Sequence, residues 1–140
     1  MTTHSSQTSC IVISDFTIDP LLDYLNDDEE LPSVSSFAAP FNQVSQVLLD
    51  EGMDCWTGGP HDLAVVWTRP EAVIRSFNLL LNHQPCPTAQ ILGEVEHFAE
   101  MIRFASQRVE SLFVPTWTLP YYNRGLGLLN MRVRGDQSSA

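Results

Sequence analysis

Apolar residues along the chain follow two rhythms. Cys10–Ile13 and Leu63–Trp67 ("LAVVW") are short unbroken runs rich in β-branched residues, the pattern of strands buried on both faces of a sheet. Ser33–Ala38, bracketed by Pro32 and Pro40, alternates loosely and predicts a short edge strand, and "SLFVPTW" predicts a fourth strand ending at Pro115. Elsewhere the apolar spacing changes to three and four. Asp19 offers an N-cap with Pro20 at the first helical position, and Leu21, Leu22 and Leu25 form a stripe that ends near Asn26. Asn42 is placed to cap a helix carrying Val44, Val47, Leu48 and Leu49, with Gly52 where a C-terminal cap glycine belongs. A third helix after Pro70 carries Val73, Ile74, Phe77, Leu80 and Leu81. In a long one from Thr88 to about Val109, Ile91, Leu92, Val95, Phe98, Ala99, Ile102 and Ala105 hold one face. The acidic run Asp27–Glu30 and the segment "MDCWTGGPHD" read as loops, and the tail after Leu119 as turn-rich with a last strand around Leu128–Val133.

Strands alternating with helices in this order predict a small doubly wound α/β domain with a parallel sheet of four to five strands and helices on both faces. The expected domain is single, residues 10–134, between a flexible tail at 1–9 and frayed residues 135–140. Ligands of such sheets sit beyond the carboxyl ends of the strands, where the strand order reverses. The turn "SDFT" after the first strand, "TRP" after the third and "PTW" after the fourth are therefore expected to converge on one rim. The candidate site is Ser14, Asp15, Thr17, Arg69, Thr116 and Trp117, with Phe16, Thr68 and Tyr121 beside them.

Composition narrows what that rim could do. The chain has 140 residues, enough to bury a core without staples, and its longest apolar runs are too short to span a bilayer. "MTTHSSQTSC" does not have the basic start and apolar stretch of a secretory leader, so a cytoplasmic location is expected. Seventeen acidic against seven basic residues give a net charge of −10, which repels nucleic-acid backbones and anionic membranes; neither is an expected partner. Three scattered cysteines, Cys10, Cys55 and Cys86, fit free thiols better than a disulfide framework or a zinc site. "SDFT" has no glycine to bring main-chain amides onto a phosphate, so it is neither a nucleotide fingerprint nor a P-loop; a flavin held by the Ser14 and Thr17 hydroxyls is sterically open, but no cofactor or metal is expected.

Two chemistries remain open at the rim. A serine hydrolase would use Ser14 or Thr17, but the histidines are badly placed for it. His97 falls on the long helix, His83 follows a helix, and His61 precedes the third strand and so enters at the opposite, amino end of the sheet; only a fold-back of the tail would bring His4 near. An acid/base site needs less: Asp15 at the end of a buried strand, close to Arg69, as a positioned carboxylate. A structural role, with Asp15 accepting main-chain N–H bonds to hold the loop, is equally natural. Of the aromatic residues, Trp67 is expected in the core. Trp117 either packs in the core or walls a small-molecule pocket with Phe16, Tyr121 and Tyr122, and Trp56 is a candidate lid or interface anchor.

The strand-one block "ISDFT" resembles the first block of the SGNH/GDSL hydrolase superfamily, whose turn runs Gly-Asp-Ser-Leu. On that block Phe16 takes the place of the nucleophilic serine, and Thr68-Arg69-Pro70-Glu71 stands where the superfamily has a Gly-x-Asn-Asp turn. A closer likeness is to the N-terminal domain of FkbH-like proteins of polyketide pathways. "ISDFTIDPLLDYL" resembles that family's Ser-Asn-Phe-Thr block, with Asp15 in place of Asn. "APFNQVSQVLLD", "DLAVVWTRPE" and "VPTWTLP…RGLGLLN" are similar to later blocks, the whole covering roughly residues 10 to 130. Those proteins join a degenerate SGNH-like domain to a phosphatase-like domain and load a glyceryl unit onto an acyl carrier protein. The resemblance implies a three-layer SGNH/flavodoxin-like fold and a domain without hydrolase activity that binds an acyl carrier protein or a phosphatase-like partner domain. The alternative is a small biosynthetic enzyme acting on a polyketide intermediate through Asp15 and its neighbours.

Overall fold

The computed structural model of the chain describes residues 7–30 and 32–119. It is an α/β protein built on a four-stranded, all-parallel sheet. The strands are β1 (Thr8–Ser14), β2 (Val34–Ala38), β3 (Leu63–Trp67) and β4 (Ser111–Phe113), in the order β2-β1-β3-β4. The chain winds from β1 to one side for β2 and then to the other for β3 and β4, which is the doubly wound topology expected, with β1 and β3 flanking the switch point. The last strand expected near Leu128–Val133 lies outside the described residues.

The described residues group into two compact units. One runs to Thr68 and takes up the chain again over Met101–Pro115, and contains the whole sheet. The other is Arg69–Glu100 together with the segment from Thr116.

In the first unit β1 has every side chain from Cys10 to Ser14 buried, because both of its faces are covered. The strand period of two divides them. Cys10 and Val12 pack with Ile18 and Leu22, while Ile11 and Ile13, fully buried, point to the other face. Helix α1 (Asp19–Asp27) covers the first of these faces with Leu22. Its N-cap is Ile18 rather than Asp19: the carboxylate sits inside the first turn, where it faces the positive end of the helix dipole. Helix α2 (Val44–Leu49) lies against β1 and buries Val44, Val47 and Leu48. Asn42 is not its cap. It adopts φ 55°, a left-handed conformation that asparagine tolerates better than most residues, and Gln43 takes the cap position. Gly52 likewise follows a turn, donating its N–H to Asp50 Oδ1 at 2.9 Å, while Asp50 ends the helix. The segment read as loop contains a single helical turn, α3 (Asp54–Thr57), too short to show a period.

Strand β2 is an edge strand, and its outer side is blocked by an amide. Asn26 Oδ1 accepts from the N–H of Ser36 at 2.7 Å and from its hydroxyl at 3.0 Å, and Asn26 Nδ2 donates to the Ser36 carbonyl at 3.3 Å. The side chain thus occupies the hydrogen-bonding groups that a foreign strand would seek. Asn26→Ala is expected to cost about 1–2 kcal/mol in urea unfolding, since the main-chain N–H and carbonyl of the buried Ser36 lose their partner, while its hydroxyl keeps the Leu22 carbonyl at 3.3 Å.

In the second unit, the helix expected over Val73–Leu81 is divided into α4 (Pro70–Val73) and α5 (Phe77–Leu81). Ile74 is extended at φ −110°, ψ 97°, and the N–H of Ser76 donates to the Glu94 carboxylate, 3.1 and 3.4 Å from its oxygens, instead of to a helix carbonyl. Ile74 and Phe77 are buried regardless of the break. Glu94 lies on α6 (Thr88–Ser106), the long helix expected, which ends three residues before Val109. No helix among the described residues is long and apolar enough to cross a membrane.

Candidate functional site

Strand β1 ends at Ser14, whose register partner on β3 is Trp67. The chain then turns sharply. The N–H of Phe16 donates to Ser14 Oγ at 3.2 Å, so the serine hydroxyl closes the turn that it opens. Phe16 folds its ring edge-on against Trp67, with centroids 5.5 Å apart and planes at 85°. Trp67 is therefore not the core residue expected. It is 39% exposed, because it stands at the end of its strand with Phe16 on one side and solvent on the other.

Of the residues expected at the rim, the first unit supplies Ser14, Asp15, Phe16, Thr17 and Thr68. Ser14, Phe16 and Thr17 line a hollow of about 190 Å³ beyond the ends of β1 and β2, with Ile18, Ala39 and Phe41. Asp15 is not among the residues lining it. The carboxylate is buried, 4% exposed, and engaged by other groups of the protein, as is the equally buried Thr68. Thr17 is exposed.

The second unit holds Arg69, Thr116 and Trp117. Arg69 is the N-cap residue of α4 and is engaged by other groups, and Thr116 is exposed. Trp117 stacks on Phe98 at 5.8 Å and lines an apolar cavity of about 210 Å³ with Ile74, Phe77, Ile91, Val95 and Leu119. Tyr121 and Tyr122 lie outside the described residues.

His4 lies outside the described residues. Among the described residues the first unit has one histidine, His61, and it enters at the amino end of the sheet as expected. There it bonds Ser9, five residues before Ser14 and so about 16 Å away along β1. His97 is exposed on α6, and His83, at φ 57°, follows α5. Among the described residues no three His, Cys, Asp or Glu side chains gather as a metal set.

Trp56, the candidate lid or interface anchor, is tied down within the first unit. Its indole Nε1 donates to the Val47 carbonyl at 2.8 Å, and the Arg108 guanidinium sits 4.9 Å from its ring centre. No periodicity could have announced this, since the contacts join residues 47, 56 and 108.

The three cysteines are free thiols, Cys10 buried and Cys55 and Cys86 partly exposed. Burial pushes the Cys10 thiol above its ordinary pKa, and does the same to Cys55 against the weaker pull of main-chain N–H groups and Arg108. A thiol with a raised pKa carries less thiolate at a given pH and reacts more slowly. With Ellman's reagent at pH 8, Cys86 is expected to react first and Cys10 last, at the rate of unfolding; fast labelling of Cys10 in the native protein would contradict this packing.

Comparison of the chain with protein-family models, with curated proteins and with solved structures finds no match.

Proposed function

We propose that this protein is an SGNH-like module of polyketide-type assembly, similar to the N-terminal domain of FkbH-like proteins, in which the "SDFT" turn that corresponds to the hydrolase site does no hydrolysis. It works by holding an acyl carrier protein or a phosphatase-like partner domain. The observation that carries this reading is the filled turn at the end of β1. Phe16 stands in the nucleophile position with its ring against Trp67, and the neighbouring hydroxyl, Ser14 Oγ, is engaged within the turn. The buried and engaged Asp15 supports the same reading, because a proton acceptor must reach its substrate and Asp15 is not among the residues that line the neighbouring hollow.

The exposed aromatic surface around the hollow, Phe41 at 63% and Trp67 at 39%, suits docking of a partner better than enclosure of a small molecule. With a net charge of −10, an acidic carrier protein would have to be met by apolar contact and by locally grouped arginines rather than by overall charge.

The test is to incubate the purified chain with a carrier protein loaded with a glyceryl unit, followed by intact mass and size exclusion. A stable complex is expected, with no mass change that depends on Asp15 or Ser14. A mass change abolished by Asp15→Asn or Ser14→Ala would replace the module with an acid/base enzyme. Phe16→Ser, which puts a hydroxyl back at the nucleophile position, is expected to add no esterase activity to that of the parent, since the one histidine among the described residues of its unit, His61, stands at the opposite end of the sheet.

A further inference from the structure

The amino end of the sheet, away from the "SDFT" turn, carries a second arrangement of polar groups. Ser9 is the second residue of β1, and its main chain is pinned: its N–H donates to Asp62 Oδ2 at 2.8 Å, and its carbonyl accepts from the Asp62 N–H at 2.9 Å. Its hydroxyl lies 2.9 Å from His61 Nδ1, and the other ring nitrogen, Nε2, lies 2.8 Å from the Cys55 carbonyl oxygen. A carbonyl can only accept, so Nε2 carries the hydrogen. In the neutral ring Nδ1 is then a bare lone pair, and Ser9 Oγ–H donates to it.

The ring is held on both sides as well. Phe37 tilts against it at 5.6 Å and Trp56 meets it edge-on at 6.3 Å, while Trp56 is itself fixed by its bond to Val47. The result is a hydroxyl, a base oriented to take its proton, and a third group that orients the base.

This pair opens on a hollow. Ser9, Ile11, Phe37, Cys55, Gly59 and His61 line a cavity of about 270 Å³. Ser9 and Ile11 are two apart on β1 and share a face, and Phe37 is the register partner of Ile11, so the strand period places the hydroxyl beside an apolar wall. The far side is the turn at Gly58 and Gly59. Gly59 has φ 148°, which L side chains rarely adopt, and a Cβ there would meet nothing within 4 Å. The main chain of the turn is thus uncovered on that side.

We propose that Ser9 and His61 form a nucleophile–base pair that accepts short, uncharged acyl groups from activated esters or thioesters. Ser9 Oγ forms a bond to the acyl carbonyl carbon as its proton passes to His61 Nδ1. The C–O or C–S bond to the leaving group then breaks, and the leaving alcohol or thiol takes that proton. Water completes the cycle: its oxygen bonds to the acyl carbon while Nδ1 accepts its proton, and Ser9 Oγ leaves with that proton restored, releasing the acid. The Cys55 carbonyl accepts from Nε2–H and stabilises the imidazolium between the two transfers, the role a carboxylate fills in the familiar triads. The cavity is smaller than those that enclose drug-sized ligands, which limits the acyl chain to a few carbons. Asp54 on its edge disfavours an anionic acyl group.

The chain is well suited to a direct test, because all seven of its basic residues are arginines and no lysine competes for the acyl group. The full chain would be mixed with p-nitrophenyl acetate, with p-nitrophenyl butyrate and, separately, with a fluorophosphonate, then analysed by acid-quenched mass and peptide mapping. One acyl or phosphonyl adduct on Ser9 is expected, together with steady release of nitrophenol. His61→Gln is expected to slow that release by about 100-fold or more with the circular dichroism spectrum unchanged. Ser9→Ala is expected to abolish both adduct and release. Labelling in the unaltered protein decides the matter even if the variants fold poorly. Absence of any Ser9 adduct, an adduct confined to Cys55, or undiminished turnover in folded His61→Gln would each overturn the proposal. None of those results bears on the module reading, which rests on the other end of the sheet.

Discussion

Arg108→Ala is expected to lower stability by about 3 kcal/mol and the Tm by about 10 °C, with loss of fixed structure around Trp56. Arg108 follows α6 and reaches back across the first unit to the end of α2. Its Nη1 donates to the Val47 carbonyl at 3.1 Å and its Nη2 to the Leu48 carbonyl at 2.7 Å. These are the last carbonyls of a six-residue helix, which has no successor turn to satisfy them. The guanidinium also lies between two rings, 4.9 Å from the centre of Trp56 and 4.8 Å from that of Phe104. Removal leaves Val47 with the indole N–H but strips Leu48 of its donor, and both rings lose the cation. Burial draws the guanidinium pKa down while Glu51 and Asp50 oppose the shift, and the group stays charged at any pH where the protein is studied. Arg108→Lys is expected to recover less than half of the loss, because an ammonium cannot span two carbonyls as the planar fork does. Urea unfolding of the three proteins, followed by Trp fluorescence, checks both numbers; equal midpoints would show that the fork contributes nothing.

Asp15→Leu is expected to cost about 3 kcal/mol, and Asp15→Asn less than about 1 kcal/mol. The side chain is buried at the end of a strand whose every residue from Cys10 onward is buried, and other groups engage it. An apolar replacement leaves those groups without a partner in a place water does not reach. An amide keeps an acceptor of nearly the same shape, and asparagine is the residue of the Ser-Asn-Phe-Thr block that this turn resembles. The pair of variants separates two roles. A structural carboxylate predicts stability that tracks hydrogen bonding, Asp near Asn and both above Leu, with the partner complex retained in Asp15→Asn. If Asp15→Asn keeps its full unfolding free energy and loses a measured turnover, the residue is a proton acceptor and the module reading is wrong.

The two ends of the sheet differ in how far they were legible from the chain. At the carboxyl end the turn and the strand register follow from residue order, because a strand fixes which end each neighbour occupies. That His61 enters at the amino end was legible for the same reason. What it meets there was not: Ser9 and Cys55 are 52 and 6 residues away, and no local spacing links a serine at the start of one strand to the ring before another.

The positions of the four described strands and their parallel doubly wound order are determined by the sequence by itself, because hydrophobic period and short crossovers are local properties that the sheet can satisfy in few ways. Helix ends and breaks were decided by tertiary structure. Asn42 yielded its cap position to a left-handed turn, and the helix expected after Pro70 divided where a distant carboxylate, Glu94, captured the N–H of Ser76. The fates of the tryptophans were decided there too. Trp67 ends its strand beside Phe16 in partial contact with solvent, and Trp56 is fixed by Val47 and Arg108. Each of these outcomes is a competition between a local preference worth at most about 1 kcal/mol and contacts supplied by residues far along the chain, and the folded contacts are the stronger term.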